Sequence, residues 1–398
     1  MWELDRDILR VFRPVESEAF IYLVRNRQPL FALTVAYTGT VQLPGVSGAG
    51  INAEMRELTA PADAEIMAHG RARCLPNGVP SNPTGAPGPS IITRAAFDLL
   101  PAMPFICVDA GLKIKADVPD LFTLEGAGPA LPLDSGKALG KNEDRALQLF
   151  LSGWEAGERL GRKQAKEGYL ILAESVPGGT TTALGLLLAL GLDAEQRVSS
   201  SMPENAHGLK LQAALGGLKA AGGAKGSFAE RPLMAVAAVG DPMQPAVTGM
   251  ALAASAYCPV VLGGGTQMAA VVALLAALRR YPPAGLQEKL QKARPENIAL
   301  VTTRWVSADP TADLAGLGAE IEQRFGIQSI PYLSANLDFS YASYPPMRLY
   351  EEGYVKEGVG AGAAAFAAML ALEQSAAELL PHIERVYRRI VLNENNNE

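Results

Sequence analysis

Two glutamates lie beside glycine-rich turns, where a carboxylate could act on a bound ligand. The first, Glu174, ends the apolar run of residues 168–174 and precedes Ser175-Val-Pro-Gly-Gly-Thr-Thr-Thr182. Gly178 and Gly179 let backbone N–H groups approach an anion closely, because no Cβ intervenes. The helix predicted after them adds unpaired N–H donors and a partial positive charge, which suits a phosphate. The turn fits neither a Walker loop nor G-x-G-x-x-G. An ordinary strand-to-helix turn with a structurally bonded glutamate is the alternative.

The second glutamate, Glu357, lies in Lys356-Glu-Gly-Val-Gly-Ala-Gly362, just before a helix predicted over residues 363–373. A glutamate between a lysine and a run of glycines is unusual if its only task is structural. Its carboxylate is of the type that serves as a general base. The alternative is a solvated loop glutamate, and the motif alone leaves both open.

The composition argues against several other classes of protein. The chain has 398 residues, of which 48% are hydrophobic and 19% charged, as in a compact protein with a large core. The net charge of −6 and the lack of a basic stripe argue against nucleic-acid binding. Three distant cysteines lack metal-ligand spacing, so we expect no metal site and a reducing compartment. We find neither a signal peptide nor a membrane-length apolar run and expect a cytoplasmic protein without membrane contact.

Strand-like and helix-like runs alternate along the chain. Strands are predicted over residues 30–37, 104–109, 168–174, 233–239, 258–262 and 297–302. This alternation predicts a mainly parallel sheet covered by helices on both faces. The fold class is therefore α/β, with a three-layer α/β/α Rossmann-like core and a small, mostly helical accessory region from both termini. Right-handed crossovers would bring the turns after residues 174, 239, 262 and 302 to one crevice. Glycines at 153, 157 and 161 predict close helix packing.

Taken together and in order, the turns resemble those of the nicotinate-nucleotide–dimethylbenzimidazole phosphoribosyltransferase family. Glu174 with Gly178-Gly-Thr-Thr-Thr182 is similar to that family's Glu and Gly-Asn-Thr-Thr turn. Val306-Ser-Ala-Asp-Pro310 resembles its Val-Ser-Ala-Glu turn, and Glu357-Gly-Val-Gly-Ala-Gly362 resembles the Gly-Glu-Gly-Ser-Gly-Ala turn that carries its catalytic base. The whole chain looks closest to the cyanobacterial and archaeal branch of this superfamily, which shares Pro-Gly-Gly-Thr-Thr-Thr and Lys-Glu-Gly-Val-Gly-Ala-Gly.

The resemblance implies a domain organisation. It covers roughly residues 86–375, which would form the α/β phosphoribosyltransferase-like core. Residues 1–85 match poorly and would form an N-terminal accessory region. Residues 376–398 would form a C-terminal helix and a polar tail.

The resemblance also implies a reaction, the transfer of phosphoribose from nicotinate mononucleotide to an aromatic base such as 5,6-dimethylbenzimidazole. Glu357 and Glu174 would be the catalytic residues, Glu357 as the base and Glu174 to orient the ribose or assist electrostatically. The residues implied for the phosphate and ribose are Gly178, Gly179, Thr180, Thr181, Ser307, Lys210 and Gly264. Ser90 and Thr93 are the nearest candidates for the base pocket. We further expect small-molecule substrates, no cofactor, no metal and a homodimer.

Several residues depart from the family's pattern. The enzymes have Asp-Gly where this chain has Gly263-Gly264, Asn where it has Gly179, and His where it has Trp305. These changes leave two alternatives open. One is the same chemistry with adenine or another base, and the other is a non-catalytic relative that binds a nucleotide.

Overall fold

The structure of the protein is a computed structural model, in which residues 4–80, 82–326 and 330–394 are described. Within these ranges the strands are β1 Ile8–Phe12, β2 Gln28–Ala36, β3 Phe105–Gly111, β4 Phe122–Thr123, β5 Gly168–Ser175, β6 Val260–Gly263, β7 Ile298–Thr303 and β8 Tyr332–Ala335. The helices are α1 Leu4–Asp7, α2 Pro14–Val24, α3 Ala53–His69, α4 Ser90–Leu99, α5 Asp144–Gln164, α6 Gly179–Ala189, α7 His207–Ala220, α8 Pro232–Val239, α9 Met243–Ser255, α10 Thr266–Arg280, α11 Gln287–Gln291, α12 Arg304–Ser307, α13 Leu314–Phe325, α14 Pro345–Arg348, α15 Ala361–Leu372 and α16 Ala376–Ile390. Residues 395–398 of the expected polar tail lie outside the described residues.

The strands form one sheet in the order β1-β8-β7-β6-β5-β2-β3-β4. Every neighbouring pair is parallel except β1 with β8, which is antiparallel. The register brings the carboxyl ends of the central strands level, because Ala173 lies opposite Gly263, which lies opposite Val301. The turns that follow β5, β6 and β7 therefore meet at one edge, where open α/β sheets bind ligands.

Helices cover both faces of the sheet, so the predicted three-layer α/β architecture is confirmed. Successive residues of β2 point to opposite faces, with Leu30 and Ala32 in one core and Phe31 and Leu33 in the other. The first core includes residues of α5, α6, α9 and α10, and the second includes residues of α3, α4, α15 and α16. Such a strand, apolar on both sides, is typical of a parallel sheet buried between helices.

The first 85 residues, which we expected to form an accessory region, supply two strands of this sheet. β2 lies between β3 and β5, where Phe31 is opposite both Phe105 and Ile171. β1 forms the far edge against β8. The expected boundary at residue 85 therefore does not separate two cores, since the sheet is continuous across it. Similarity to a family ends where sequences diverge, and this point need not be a structural boundary.

The run of residues 233–239, which we predicted as a strand, is a helix, α8. Pro232 occupies its first turn, a position that favours helix because the missing N–H has no partner there. The prediction was wrong because the run is apolar on all sides and seven of the eight residues of α8 are buried. Periodicity cannot distinguish a buried helix from a buried strand in so short a segment.

The glycines spaced four apart in α5 pack directly on α9. A Cβ on Gly153 would lie 2.2 Å from the carbonyl oxygen of Ala246, and one on Gly157 would lie 2.2 Å from that of Met250. On Gly161 it would lie 2.8 Å from the Cα of Ala254. The predicted close helix packing is therefore confirmed.

We also tested the helices against the dimensions of a membrane. Within the described ranges, no single helix is both long and apolar enough to cross one. α15 and α16 reach that length and composition only as a pair, and their axes are bent by 119°.

Candidate active site

A cavity of about 160 Å³ opens at the carboxyl ends of β5, β6 and β7. Its walls are formed by residues 46–50, 59, 63, 80, 82, 88–89, 174–180, 199–201, 265–267, 306 and 355–359. The turns after β5, β6 and β7 all contribute, as predicted from the order of elements. The turn after residue 239 does not line the cavity, because the segment before it is helix α8 rather than a strand of the sheet.

The glycine-rich turn after β5 ends at Gly178, which caps α6 with a φ of 82°. This left-handed conformation favours glycine, and a Cβ there would lie 2.8 Å from the backbone nitrogen of Val41. Thr182, in the first turn of α6, donates a hydrogen bond to buried Asp241 at 2.5 Å. Asp241 in turn accepts from the backbone N–H of Met243 at 3.0 Å. The start of α6, which faces the cavity through residues 178–180, is thereby fixed to the start of α9.

Glu174 is buried at the end of β5 and lies at the cavity wall. Its Oε2 accepts from the backbone N–H of Val176 at 3.0 Å, and its Oε1 accepts from the side-chain amide of Gln267 at 3.1 Å. A Cβ on Gly264 would lie 3.7 Å from that same Oε1. The turns after β5 and β6 thus meet around one carboxyl group.

Glu357 lies on the same cavity, in the loop before α15. Its carboxylate accepts from the hydroxyl of Thr302 at 3.1 Å and from the backbone N–H groups of Gly358 at 3.0 Å and Gly362 at 3.3 Å. The Val359 N–H donates to the carbonyl oxygen of Glu174 at 2.9 Å. The loop that carries one glutamate therefore binds directly to the strand that carries the other.

The backbone of this loop is strained. Val355, Lys356 and Val359 all have left-handed φ values, of 65°, 57° and 55°, which are costly for residues with a branched or long side chain. Strain of this kind persists where the surroundings fix it. Here the hydroxyl of Thr303 donates to the carbonyl oxygen of Lys356 at 2.5 Å, and that of Thr93 donates to the carbonyl oxygen of Val359 at 2.9 Å.

The acidic groups at the cavity are held away from their ordinary titration range. Burial, together with the nearby charges of Glu357 and Asp241, raises the pKa of Glu174 to about 8. Burial also raises the pKa of Glu357 to about 7, against the effect of the N–H and hydroxyl groups that donate to it. The pKa of Asp63 is likewise raised to about 7 by burial, although the hydroxyls of Ser175 and Ser90 oppose the shift. A carboxyl group with a pKa near 7 is suited to accept a proton at neutral pH.

Two buried lysines lie near the cavity, of which Lys356 lines the wall and Lys210 lies behind it. Lys356 Nζ forms an ion pair with Asp309 at 2.6 Å and donates to Asn205 Oδ1 at 3.1 Å. Lys210 is fully buried, and the only hydrogen bond that its ammonium group makes to the described residues is a long one of 3.4 Å to the carbonyl oxygen of Ser199. Burial and the charge of Lys356 lower the pKa of Lys210 to about 7, while Asp309 acts in the opposite direction.

The structure brings some of the sequence-derived candidates to the cavity and places others behind it. Those on the wall are Glu174, Gly178, Gly179, Thr180 and Glu357. Those that do not line it are Ser90, Thr93, Thr181, Lys210, Gly264 and Ser307.

The candidates behind the wall have identifiable contacts. Thr93 binds the Glu357 loop, and Ser90 lies beside Asp63. Ser307 hydrogen-bonds Ser334 at 3.0 Å, away from the cavity. The hydroxyl of Thr181 is buried and has no hydrogen-bond partner in the described part of the chain.

Three charged groups of the site were not singled out from the sequence. Asp63 comes from α3, in the region that lacks the resemblance, and its only local signal is an acid between two alanines of a predicted helix. Asp241 follows the segment that we mistook for a strand. Lys356 was visible, because it stands where the resembling motif has glycine, but its ion pair with Asp309 joins residues 47 apart in the chain.

Comparison with known proteins gives close relatives in sequence. No family model matches the chain. A UPF0284 protein of Gloeobacter violaceus is 44% identical over 372 residues, which are 92% of this chain and 89% of the relative. A UPF0284 protein of Trichodesmium erythraeum is 40% identical over 380 residues, 94% of this chain and 97% of the relative. One from Methanothermobacter thermautotrophicus is 39% identical over 350 residues, 87% of this chain and 89% of the relative.

Solved structures share the fold at much lower identity. CobT from Thermus thermophilus superposes with a TM-score of 0.54 and 20% identity, over 89% of this chain and 84% of that one. Nicotinate-nucleotide-dimethylbenzimidazole phosphoribosyltransferase from the same organism gives a TM-score of 0.54 and 18% identity, over 94% of this chain and 92% of that one. These structures confirm, at the level of fold, the resemblance seen in the motifs. The relatives in sequence confirm that the chain groups with cyanobacterial and archaeal proteins. On the identity and coverage of these relatives, the chain belongs to the UPF0284 protein family.

Proposed function

We propose that the protein transfers the phosphoribosyl group of nicotinate mononucleotide to a ring nitrogen of an aromatic base such as 5,6-dimethylbenzimidazole. The product would be the α-ribazole phosphate of the cobalamin lower ligand. The observation that carries this proposal is that Glu174, Glu357 and the glycine-rich start of α6 all line one cavity. The shared fold with nicotinate-nucleotide-dimethylbenzimidazole phosphoribosyltransferase supports the same reaction class.

The start of α6 is suited to hold the phosphate. Gly179 and Thr180 lie in its first turn at the cavity wall. The Gly179 N–H donates to the carbonyl oxygen of Val176 at 2.9 Å, whereas the Thr180 N–H has no backbone partner among the described residues and is open to an anion. Such helix-end electrostatics contribute about 0.3–2 kcal/mol, enough to position the sugar but not to drive the chemistry. Lys356 also lines the cavity, but its ammonium group is paired with Asp309, so the start of α6 remains the main anion-binding feature of the wall. Lys210 and Thr181 lie just behind this wall and would support the phosphate from there.

Glu357 would act as the general base. The attacking ring nitrogen of the acceptor forms a bond to C1′ of the ribose while the bond from C1′ to the nicotinate nitrogen breaks. The electron pair of that bond returns to the nicotinate ring, so nicotinate departs with an uncharged ring nitrogen. Glu357 takes the proton from the second ring nitrogen of the acceptor, so that the azole product is also neutral. Groups of this kind typically accelerate a reaction about 10²–10⁴-fold.

Glu174 would face the sugar. The transition state of such a transfer resembles an oxocarbenium ion, as in glycoside chemistry. With a pKa raised to about 8 by burial, Glu174 is mainly protonated at neutral pH and can donate a hydrogen bond to a ribose hydroxyl. The amide of Gln267 fixes the orientation of this carboxyl group at 3.1 Å. Glu174 is therefore better placed to orient the ribose than to accept the proton.

The decisive experiment replaces the base without changing its shape. Glu357→Gln should lower kcat by about 10²–10⁴-fold, because an amide cannot accept the proton. Binding of nicotinate mononucleotide, measured by calorimetry, should stay within a few-fold of the wild type. Glu352→Gln, an exposed position in the preceding turn, is the control and should leave both quantities unchanged.

Two outcomes would contradict this proposal in different ways. Retained turnover in Glu357→Gln would mean that Glu357 is not the base. If the wild-type protein binds nicotinate mononucleotide but releases no nicotinate with any acceptor, the chain is a nucleotide-binding relative and not a transferase. Gly263 and Trp305, which stand where the enzyme motifs have Asp and His, are the residues that motivate this second reading.

A further inference from the structure

A third carboxyl group faces the cavity, and the proposed mechanism does not use it. Helix α3 presents Thr59 and Asp63, four residues apart and hence on one face, to the cavity. Asp63 is only 5% exposed. Its Oδ2 accepts a hydrogen bond from the hydroxyl of Ser175 at 2.8 Å. A buried acid kept at a cavity wall needs a partner, because burying a polar group without one is costly.

Asp63 adjoins both glutamates of the cavity. Its partner Ser175 directly follows Glu174, whose pKa is raised in part by the charge of Asp63. Towards Glu357, the Ser90 hydroxyl lies beside the carboxyl group of Asp63. Ser90 begins α4 immediately after Pro89, whose Cγ would lie 2.9 Å from a Cβ built on Gly358. Asp63 and Glu357 thus share the wall formed by the start of α4. The glycine-rich turn at residues 178–180 forms a different part of the cavity.

We propose that Asp63 selects the acceptor, and that the protein prefers an aromatic nitrogen heterocycle with a hydrogen-bond donor on the edge away from the reacting nitrogen. An exocyclic amine or a ring N–H would serve. This inference rests on the proposed function, since it assigns the acceptor of the same reaction.

The chemistry of a carboxyl group explains the preference. An ionised carboxylate offers about four acceptor positions, and the hydroxyls of Ser175 and Ser90 use only part of them. Because burial raises the pKa of Asp63 to about 7, a protonated form that both donates and accepts is also available at neutral pH. Either form can pair with an amine-bearing edge. An edge without a donor would leave the remaining acceptor positions of the ionised carboxylate without a partner.

A site that hydrogen-bonds a polar group of its substrate strongly rejects an analogue without that group. A site that only fits a methyl group discriminates much less against an analogue without the methyl. Adenine and purine differ only by the exocyclic amine and make the sharpest pair of probes. Benzimidazole and 5,6-dimethylbenzimidazole test the effect of added methyl groups. The ribose hydroxyls are the competing partner for Asp63, and they are common to every reaction with nicotinate mononucleotide.

The experiment measures kcat/KM with nicotinate mononucleotide and these four bases, for the wild type, Asp63→Ala and Glu54→Gln. Glu54 is an exposed acid on the same helix and serves as the control. We expect the wild type and the control to prefer adenine over purine by about tenfold or more, and Asp63→Ala to lose this preference. The KM for nicotinate mononucleotide should change by less than about threefold. Should Asp63→Ala fail to fold, Asp63→Asn keeps the volume and should still reduce the preference several-fold.

Binding of the same bases is measured in parallel by calorimetry, so that the result does not depend on turnover. If binding shows the Asp63-dependent preference but no nicotinate is released, the proposed function fails and the selection by Asp63 stands. If nicotinate is released but the ratio of adenine to purine is equal in the wild type and Asp63→Ala, the selection fails and the function stands. A KM for nicotinate mononucleotide that rises equally with every base would assign Asp63 to the ribose and overturn the inference.

Discussion

Lys356 Nζ lies 2.6 Å from Asp309 Oδ2, and both side chains are almost completely buried. Burial alone would raise the pKa of Asp309, but hydrogen bonds from Asn205, Lys356, the Thr311 N–H and Ser199 lower it to about 2. The pair is therefore ionised at neutral pH. Because Lys356 immediately precedes Glu357, this buried ion pair fixes the strained loop that carries the proposed base.

Removing one partner of this pair should be strongly destabilising. Lys356→Met would leave the Asp309 carboxylate buried without its cation, and breaking such pairs typically costs about 3–5 kcal/mol. The free energy of unfolding, measured in urea at pH 7, should fall by an amount of this order. Since the folded-state pKa of Asp309 lies below its unfolded value, the stabilisation by the ion pair is present above about pH 4 and is lost as the pH falls towards 2.

The matched variant for this prediction is Lys166→Met. Lys166 is exposed in the turn before β5, so its substitution should change the unfolding free energy by less than about 0.5 kcal/mol. An equal effect of the two substitutions would show that the ion pair contributes nothing.

The pH dependence of the reaction should report the titration of Glu357. The base must be ionised, and its pKa is raised to about 7 by burial, so kcat/KM should fall about tenfold per pH unit below pH 7. Glu174, whose pKa is raised to about 8, is mainly protonated in this range and places no negative charge beside Glu357. Glu174→Gln should therefore leave the midpoint of the acid limb unchanged, because it replaces one neutral group by another.

The comparison of these two pH profiles uses identical substrates, so the titration of the substrates cancels. A midpoint that moves to lower pH by about one unit in Glu174→Gln would mean that Glu174 is ionised near pH 7. The two carboxyl groups would then titrate as a coupled pair in the opposite order.

The start of α6 should distinguish substrates with a phosphate from those without one. We expect the wild type to prefer nicotinate mononucleotide over nicotinate riboside, which lacks the phosphate. Thr180→Ala removes a hydroxyl donor at the cavity wall, and a hydrogen bond to a charged group contributes about 1.5–3 kcal/mol. The preference, as a ratio of kcat/KM values, should fall about 10–100-fold, with little change for the riboside. Equal losses with the two substrates would place the phosphate elsewhere.

Substitution of glycine by alanine should have opposite effects on stability at Gly157, in the close contact between α5 and α9, and at Gly216 of α7. Gly157→Ala should lower the unfolding free energy by about 1–3 kcal/mol, because its Cβ would lie 2.2 Å from the Met250 carbonyl oxygen. Gly216→Ala, at an exposed position of α7, meets nothing within 4 Å and should raise stability by about 0.5–1 kcal/mol. Thermal denaturation of both variants tests the pair, and a neutral Gly157→Ala would contradict the packing.

The sequence contains strong local signals for part of this structure. Alternating strands and helices predict the sheet, and Glu174 and Glu357 could be paired because each lies beside a glycine turn in a recognisable order. Local patterns could not give the position of β2 between β3 and β5, since these partners lie more than 70 residues further along the chain. They could not distinguish α8 from a buried strand.

The charged groups of the cavity are harder still to predict. Asp63 accepts a hydrogen bond from Ser175, which is 112 residues away in the chain, and Lys356 donates one to Asn205, which is 151 residues away. An acid or a lysine within an apolar segment gives no indication of its partner when that partner is distant in sequence. Such residues become candidates only when the fold has brought them to one wall.

The strand order has a consequence for synthesis on the ribosome. Starting from β2 and β3, the sheet gains β5, β6, β7 and β8 in the order in which the chain emerges, each beside a strand that is already made. β1 is the exception, because it precedes β2 in the chain but pairs only with β8, so Ile8 has no strand partner until Ala335 has been made. The nascent chain therefore carries β1 unpaired while the other strands are translated. Docking of β1 completes the sheet only after β8 has emerged.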